Sequence, residues 1–410
     1  MYHDYHFHPL GYAGLVAGLD LMDAADLGEV MSRVAARAEQ VDGAIIGQRL
    51  NDESVSERRL PDRNDIDDVV GDRPVLLYRY CGHVAVANSA ALSLAGIDAD
   101  PGQPEGGSFD TDAAGRATGV LRETAIAVVS SALAPQVTGP PDSAVLSALG
   151  AVRRMGLRSM TGIVSVGEPI WCGVPDELDV LCRLAPELPL DIDVLVIAPN
   201  PAELADAAEK IRRTQGRIRF FGWKDFADGS FGGHTAALHE PYTDRPETTG
   251  TDRLDPEHFK TMARASMMLG GSVAIHAIGD RANDRVLDVY EELIEMGADP
   301  WRLRVEHASL LTGPAIERMA KLGVTASVQP AFLASEGEWL VKRIGEARMS
   351  RVYPFRSMLE AGVGMVGGSD APVESPDPEN GINAAVERPG FDPSESLTED
   401  QAIALFTPPR

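Results

Sequence analysis

Short apolar, β-branched segments alternate along this chain with amphipathic helical segments, and this alternation constrains the fold more than any other feature. The short segments, each with a polar or glycine-containing end, cover residues 2–9, 162–168, 190–198, 217–228, 271–280, 303–310, 324–332 and 363–372. Strand–helix alternation of this kind is typical of parallel βα units. Eight such strands predict an α/β fold, a (β/α)8 TIM barrel, which needs roughly 250 residues. A doubly wound open sheet is the alternative.

The first two predicted strands lie too far apart for a single βα unit. Residues 35–140 contain a strand-like stretch, RPVLLYRYCGHVAVAN, a helix-like stretch, SAALSLAGI, and the turn-rich GGSFDTDAAGRATG, which is typical of a hairpin. We interpret residues 35–140 as an inserted α+β subdomain that covers the substrate. Residues 1–34 would then supply the first strand and helix of the barrel, and residues 141–410 the remainder.

Charge and cysteine content narrow the class of protein. Acidic residues outnumber basic ones by 62 to 37, and the net charge of −25 disfavours binding to nucleic acids or anionic membranes. The three cysteines, Cys81, Cys172 and Cys182, are widely spaced and fit a reducing compartment. Because no apolar run is long enough for a membrane span and no signal peptide is evident, we expect a cytoplasmic protein. A small molecule is the expected partner, and a homodimer is left open.

Residues able to bind a metal recur at the predicted strand ends. His6 and His8 are separated by one residue, which places both imidazoles on the same side of an extended strand. The other candidates at strand ends are Lys224, His276, His307 and Asp370. Each alone has an ordinary explanation, such as a hydrogen-bonded core histidine or a helix cap. Together they are better explained by one site, because the C-terminal ends of barrel strands converge.

The order of several motifs resembles a known family. The stretches are DYHFHPLG, RYCGHVAVANSAAL, GRATGVLRE, GWKDFADGSFGGHTAAL, HAIGDRA, RVEHASL, SVQPAF and GGSDAPVESPDP. In this order they resemble the amidohydrolase superfamily, and within it the amidohydrolase-3 or YtcJ-like group that includes N-substituted formamide deformylases. The resemblance spans nearly the whole chain. Relatives generally carry a small β-sandwich on both sides of the barrel, and we expect its segments to be missing here, which leaves open how His6 and His8 are held.

The resemblance implies a centre of two divalent metal ions, usually zinc. His6 and His8 would bind one ion together with Asp370, and His276 and His307 would bind the second. Lys224 would bridge both ions as a carboxylated lysine, a carbamate made with carbon dioxide. Carbamylation would also explain a lysine in a mostly apolar strand, whose other explanation is a salt bridge to Asp225 or Asp228.

The implied activity is hydrolysis of a C–N bond, in an amide or an N-substituted formamide. A hydroxide bridging the metals would attack the carbonyl carbon, and Asp370 would act as the general base. Two alternatives stay open. One is a catalytically impaired or regulatory relative that only binds metal, and the other is a hydrolase of esters or phosphotriesters at the same site.

Several residues outside the candidate ligand set also have predicted roles. His83 and Asn88 of the inserted subdomain are predicted to bind substrate, although Asn88 could equally cap the following helix. Arg304 and Glu306 flank His307 and could support the metal centre. They are not expected to be ligands, because neighbouring side chains of a strand point to opposite faces. Asp228 is expected to hold loop geometry.

Overall fold

The computed structural model describes residues 1–97, 102–104, 106–137, 139–167 and 177–408. Two compact units divide these residues. The first unit comprises Met1–Pro9, Leu149–Val166 and Leu178–Arg410, of which residues 409 and 410 lie outside the described part. The second unit contains Leu10–Ala148 together with Gly167 and Glu177. Cys172 and the predicted strand end at Glu168 fall outside the described residues.

Strands and helices are numbered along the chain. The described strands are β1 (Tyr2–Phe7), β2 (Leu19–Asp20), β3 (Ile45–Leu50), β4 (Val75–Arg79), β5 (Val84–Ala87), β6 (Gly107–Thr111), β7 (Ala117–Glu123), β8 (Leu157–Ser165), β9 (Asp191–Ile197), β10 (Ile218–Phe226), β11 (Ser272–Ala277), β12 (Leu303–His307), β13 (Thr325–Val328) and β14 (Gly364–Gly367). The α-helices are α1 (Pro9–Ala17), α2 (Leu27–Ala38), α3 (Arg63–Val70), α4 (Ser89–Leu94), α5 (Thr124–Leu133), α6 (Asp142–Arg154), α7 (Glu177–Leu184), α8 (Pro201–Arg213), α9 (Pro256–Met268), α10 (Asp280–Glu295), α11 (Gly313–Leu322), α12 (Phe332–Glu336), α13 (Leu340–Ile344), α14 (Glu346–Met349), α15 (Phe355–Ala361), α16 (Pro378–Glu387) and α17 (Glu399–Leu405). None of these helices is both long and apolar enough to pass through a membrane.

The first unit is built on an eight-stranded parallel sheet in the order β1-β8-β9-β10-β11-β12-β13-β14. Its two edge strands meet where Phe7 forms a parallel bridge with Ala371, and where His8 N donates to Ala371 O at 2.8 Å. The sheet therefore curls into a nearly closed barrel, and the prediction of a (β/α)8 barrel with an insertion between its first two strands is confirmed.

The barrel helices follow the amphipathic pattern of the sequence. In α8, Asn200 caps the first turn by accepting from the backbone N–H of Glu203, and Pro201 occupies the first helical position. Its buried residues recur with helical spacing on one face, at Leu204, Ala207, Ala208 and Ile211. This face packs towards the sheet, and basic residues in the last turn complement the helix dipole.

Strand β1 is held by hydrogen bonds from three directions. It pairs in parallel with β8, and Tyr2 N donates to Gly156 O at 3.2 Å. His3 N donates to Phe406 O at 2.7 Å, directly after α17. From inside the barrel, the Arg304 guanidinium donates to Tyr5 O at 2.9 Å. These contacts settle the open question of how the strand that carries His6 and His8 is supported.

Below the strand ends, the barrel interior carries a buried histidine. His3 Nδ1 lies 2.7 Å from Ser159 Oγ, and its Nε2 lies 3.1 Å from Thr161 Oγ1. Burial, followed by the charges of Arg304 and Arg219, lowers the pKa of His3 to about 3. A neutral imidazole is therefore part of the folded state.

This histidine is expected to make the protein sensitive to acid. Because the folded pKa is about 3 and the unfolded value 6.5, the stability contributed by neutral His3 is complete above 6.5 and is lost as the pH falls towards 3. Between about pH 7 and about pH 5 the loss is about 2 kcal/mol. Urea unfolding of the metal-free wild type and of His3→Gln at several pH values measures this loss. The difference in unfolding free energy between the two proteins should shrink as the pH falls. A difference that stays constant with pH would contradict the buried neutral state.

The second unit contains a mixed sheet in the order β2-β3-β4-β5-β7-β6. The predicted hairpin is present as antiparallel β6 and β7. Along β4 the core alternates, since Val75 and Leu77 pack into one apolar cluster, whereas Leu76 and Tyr78 pack into another. Apolar residues of α2 join the first cluster, and β2 pairs with β3. The second unit therefore starts at Leu10 rather than at the predicted residue 35, because α1, β2 and α2 belong to its contacts.

Candidate metal centre

His6, His8 and Asp370 bring their donor atoms together at the barrel end. One ligand atom from each lies within 4.8 Å of the other two, and all three side chains are buried. Asp370 Oδ1 lies 3.2 Å from His6 Nε2 and 3.1 Å from His8 Nε2. The i, i+2 spacing on β1 places both imidazoles on one side, as expected for a strand. Asp370 reaches them from the loop that follows β14.

Two of the candidate ligands have left-handed backbone conformations. The φ angle is 71° at His307 and 58° at Asp370. Such values are uncommon for residues other than glycine, and they cluster at functional sites where the surrounding structure enforces them. Each residue lies where its strand ends, so the turn directs the side chain towards the barrel mouth instead of continuing the strand alternation.

The imidazole rings of the candidate histidines form a contiguous series. The His6 ring centroid lies 5.7 Å from that of His8 and 4.8 Å from that of His307. The His307 ring in turn lies 4.5 Å from that of His276. His276 Nε2 lies 2.9 Å from Gly229 O, which favours a proton on Nε2 and the lone pair on Nδ1. The structure therefore assembles all four predicted histidines at one end of the barrel.

Lys224 is completely buried on β10, as its apolar neighbourhood predicts. Its Nζ donates to the backbone oxygen of Asp225 at 3.0 Å and lies 3.7 Å from the centroid of the Phe226 ring. Among the residues that the structure describes, no carboxylate forms an ion pair with it. Burial is the main reason that the pKa of Lys224 falls to about 8, although Glu306 and Asp225 oppose the shift. Part of the lysine is therefore a neutral amine near neutral pH.

The electrostatics of the three-residue site favour a cation. The His6 Nδ1 atom lies 2.6 Å from the Glu306 carboxylate, so it carries a proton. In neutral His6 the lone pair on Nε2 would face the Asp370 carboxylate, and two acceptors in contact repel each other. Burial alone lowers the pKa of His6, but the charges of Asp370 and Glu306 outweigh it and raise this pKa to about 9. The site thus stabilises positive charge, and a divalent metal fits it.

Two further atoms support this fit. Asp370 Oδ1 and His307 Nδ1 are both buried; His307 Nδ1 has no hydrogen-bond partner among the described residues, and Asp370 Oδ1 meets the imidazole nitrogens of His6 and His8. Buried polar atoms without partners are costly, and a bound ion is one of the explanations for them. Burial by itself raises the pKa of Asp370, but the charge of His6 outweighs this effect and holds it well below the usual range. The carboxylate is therefore ionised and able to act as a ligand.

The loop that carries Asp370 is tied to β1 by a second aspartate. Asp4 accepts hydrogen bonds from His6 N at 3.0 Å, from Ser369 N at 3.1 Å and from Ser369 Oγ at 2.6 Å. Gly368 is required beside it, since an added Cβ would lie 2.5 Å from His6 N. Asp4 thus sets the spacing between His6 and Asp370, a role that only the structure reveals.

Replacing Asp4 with asparagine is expected to loosen this link. Asparagine keeps one acceptor oxygen and gains an amide donor, so at least one of the three hydrogen bonds is lost. Because the group is buried, the expected loss of unfolding free energy is about 1–3 kcal/mol. Urea denaturation of the metal-free protein measures it. Ser369→Ala should give part of the same loss, and an unchanged midpoint in both variants would contradict the proposed link.

Arg304 and Glu306 occupy positions that strand alternation did not predict. Glu306 aligns with His276 on β11 and with Ser327 on β13, so its side chain shares their inward face. His307 is the next residue, yet it also reaches the site because of its left-handed φ. Glu306 and His307 therefore both reach the site although they are adjacent in the chain. Glu306 contacts His6 directly but does not belong to the donor group of His6, His8 and Asp370.

Asp228 holds loop geometry, as expected from the sequence. Its carboxylate accepts from Ile278 N at 3.0 Å and from Gly279 N and Ala237 N at 2.8 Å each. It therefore joins the loops after β10 and β11. Asp228 Oδ1 also lies 3.4 Å from His276 Nε2, so the same group contributes to the surroundings of a candidate ligand.

The two predicted substrate-binding residues both belong to the second unit. Asn88 caps α4, accepting from Ala91 N at 3.1 Å, and its amide also bonds to Val75 N and Arg73 O. These contacts correspond to its alternative, structural role. His83 Nδ1 lies 3.0 Å from a carboxylate oxygen of Glu123. Substrate binding by His83 and Asn88 stays a prediction.

A parallel barrel that gathers two histidines and a carboxylate at the C-terminal ends of its strands defines a class, the barrel hydrolases that depend on a divalent metal. The profile of the amidohydrolase family matches residues 3–408. The chain belongs to this family and is a hydrolase, as the resemblance of its motifs predicted.

Individual relatives agree with this assignment. The putative amidohydrolase YtcJ of Bacillus subtilis (strain 168) is 32% identical over 417 residues, which cover 98% of this chain and 77% of that protein. N-substituted formamide deformylase of Arthrobacter pascens is 27% identical over 365 residues, covering 86% of this chain and 67% of that protein. The crystal structure of an uncharacterized metal-dependent hydrolase from Pyrococcus furiosus has a TM-score of 0.73 and 32% identity, covering 99% and 80% of the two chains.

Proposed function

We propose that this hydrolase cleaves a C–N bond in an amide or an N-substituted formamide. The convergence of His6, His8 and Asp370 on one point carries the proposal, because it supplies two imidazole nitrogen donors and one carboxylate oxygen donor. Zinc accepts this donor set. A relative that acts on N-substituted formamides supports the bond type.

The residues are assigned to two metal positions. His6, His8 and Asp370 would hold the first ion, and His276 and His307 the second. When bound, divalent ions polarise a carbonyl oxygen and lower the pKa of a coordinated water. Asp370, held ionised by its surroundings, accepts the proton of the attacking water and transfers it to the leaving nitrogen. Arrival of this proton lets the nitrogen leave as a neutral amine.

Lys224 would join the two positions as a carbamate. The neutral amine attacks carbon dioxide, a bond forms between Nζ and the carbon, and one proton leaves the nitrogen. The lowered pKa of Lys224 supports this step, because only an unprotonated amine is nucleophilic. The product is an anion with two oxygen donors, which removes the cost of burying an ammonium group.

The test is a substrate screen on purified protein that has been stripped of metal and reloaded with zinc and bicarbonate. We expect turnover of N-substituted formamides or other N-acyl amines, loss of activity with a chelator and recovery with zinc. If esters or phosphotriesters are turned over faster than N-acyl amines, the proposed C–N bond specificity is wrong. A reloaded protein that binds zinc but turns over none of these substrates would favour the regulatory alternative, and one that binds no metal would overturn the proposal.

A further inference from the structure

Glu306 forms the most direct support of a candidate ligand in the barrel. Its Oε2 lies 2.6 Å from His6 Nδ1, and its Oε1 accepts from Arg304 Nε. Both carboxylate oxygens are therefore engaged by cationic or polarised N–H donors, which form the stronger class of hydrogen bond. Arg304 also donates to Tyr5 O at 2.9 Å, the residue before His6. One guanidinium thus holds both the carboxylate and the backbone beside the histidine.

The positions of Arg304 and Glu306 on β12 explain why their side chains are held rigidly. Residues 304 and 306 lie two apart on β12, so both side chains enter the barrel interior. Glu306 is completely buried and Arg304 nearly so. Packing on the Phe221 ring, 5.5 Å from the guanidinium carbon, limits the orientations of Arg304 further. A buried, doubly bonded carboxylate on a barrel strand has few alternative rotamers.

The support is specific to one of the four site histidines. His276 has its Nε2 beside the carbonyl oxygen of Gly229, and the Nδ1 of His307 has no partner among the described residues. Glu306 contacts His6 alone among them, as far as the described residues show. A change at Glu306 should therefore affect the metal position of His6, His8 and Asp370 before the other position.

We propose that Glu306, fixed by Arg304, is a positioning residue that holds His6 in the tautomer and orientation with Nε2 directed at Asp370. A protonated Nδ1 bonded to Glu306 leaves Nε2 as the ligating nitrogen, and outer partners of this kind strengthen metal binding. The inference rests on the proposed metal-dependent function. It makes Glu306 neither a ligand nor a general base.

The test is zinc affinity, measured by competition with a chromophoric chelator on the full chain. Glu306→Gln keeps the shape and a neutral acceptor for His6 Nδ1, whereas Glu306→Leu removes the acceptor. We expect the zinc Kd of the position formed by His6, His8 and Asp370 to rise about tenfold in Glu306→Gln and about a hundredfold in Glu306→Leu. Arg304→Met should weaken binding as well, because it frees the carboxylate to rotate.

The matched control is Glu395→Gln, a buried glutamate of the same unit that bonds to Ser357 and lies outside the proposed site. It should alter stability without altering zinc affinity. Cobalt substitution gives a second readout, since the visible spectrum of the bound ion reports its ligand arrangement and should change in the Glu306 variants only.

The outcomes separate this inference from the proposed function. Wild-type zinc binding and turnover combined with unchanged zinc affinity in Glu306→Gln and Glu306→Leu would overturn the positioning role and leave the hydrolase intact. Absence of zinc binding in the wild type would overturn both. Should Glu306→Leu fail to fold, the nearly isosteric Glu306→Gln decides, since an affinity equal to that of Glu395→Gln contradicts the proposal.

Discussion

Replacing Asp370 with asparagine is expected to lower kcat/KM for an N-acyl amine by at least about a thousandfold, while the barrel stays folded. General acid–base groups contribute about 10²–10⁴-fold, and the same carboxylate is also a proposed ligand. Asparagine has nearly the same shape, but it cannot accept the proton of water at neutral pH and offers no negative charge. Both roles are therefore lost without a change in volume.

Steady-state kinetics with zinc in excess and a measurement of bound zinc separate the two roles. If zinc binding survives while kcat falls, the proton-transfer role dominates, and if zinc is lost, the ligand role dominates. Asp193→Asn is a suitable control, because this aspartate is buried in the same unit and pairs with Arg219. Activity within tenfold of the wild type in zinc-loaded Asp370→Asn would contradict the assignment of Asp370 as the base.

Replacing Lys224 with alanine is expected to remove one of the two proposed metal ions and to lower kcat/KM by at least about a hundredfold. The proposed carbamate supplies the anion between the metal positions, and several kcal/mol of charge stabilisation depend on such an arrangement. Lys224→Arg should be equally impaired, since a guanidinium does not react with carbon dioxide and brings a permanent charge into a buried position.

Metal analysis and a labelling experiment test this expectation. Wild-type protein incubated with isotope-labelled bicarbonate should show a carbamate carbon signal by NMR, and Lys224→Ala should lack it. Short carboxylic acids should partly restore the activity of Lys224→Ala, because they can occupy the space and supply two oxygen donors. Full activity and full metal content in Lys224→Ala would show that the lysine is a structural cation.

Much of the architecture could be predicted from local patterns. Strand–helix alternation predicted the barrel, with a doubly wound sheet as the alternative, and the long spacing before the predicted strand at residues 162–168 indicated the insertion. The i, i+2 pair His6 and His8 needed only strand geometry, and the unusual placement of Lys224 in an apolar strand was visible as a burial problem. Each of these signals depends on residues close together in the chain, for which side-chain direction follows from secondary structure.

The start of the insertion was harder to predict from local sequence patterns. Helix α1 and helix α2 have ordinary amphipathic or apolar sequences that suit either unit equally well. Their membership is decided by pairing of β2 with β3 and by the apolar cluster that α2 joins. Asn88 is a similar case, because a helix cap and a substrate contact require the same side chain in the same sequence.

The sequence by itself predicted the fold class and placed the histidines and the aspartate at the ends of strands. Only the tertiary structure decided which buried groups support them. The left-handed turn at His307 ends strand alternation, so Glu306 and His307 both face one site although they are neighbours. Asp4 and Ser369 lie at opposite ends of the chain, and barrel closure alone brings them into hydrogen-bond contact. Contacts of this kind depend on where strands end and meet, which no local residue pattern encodes.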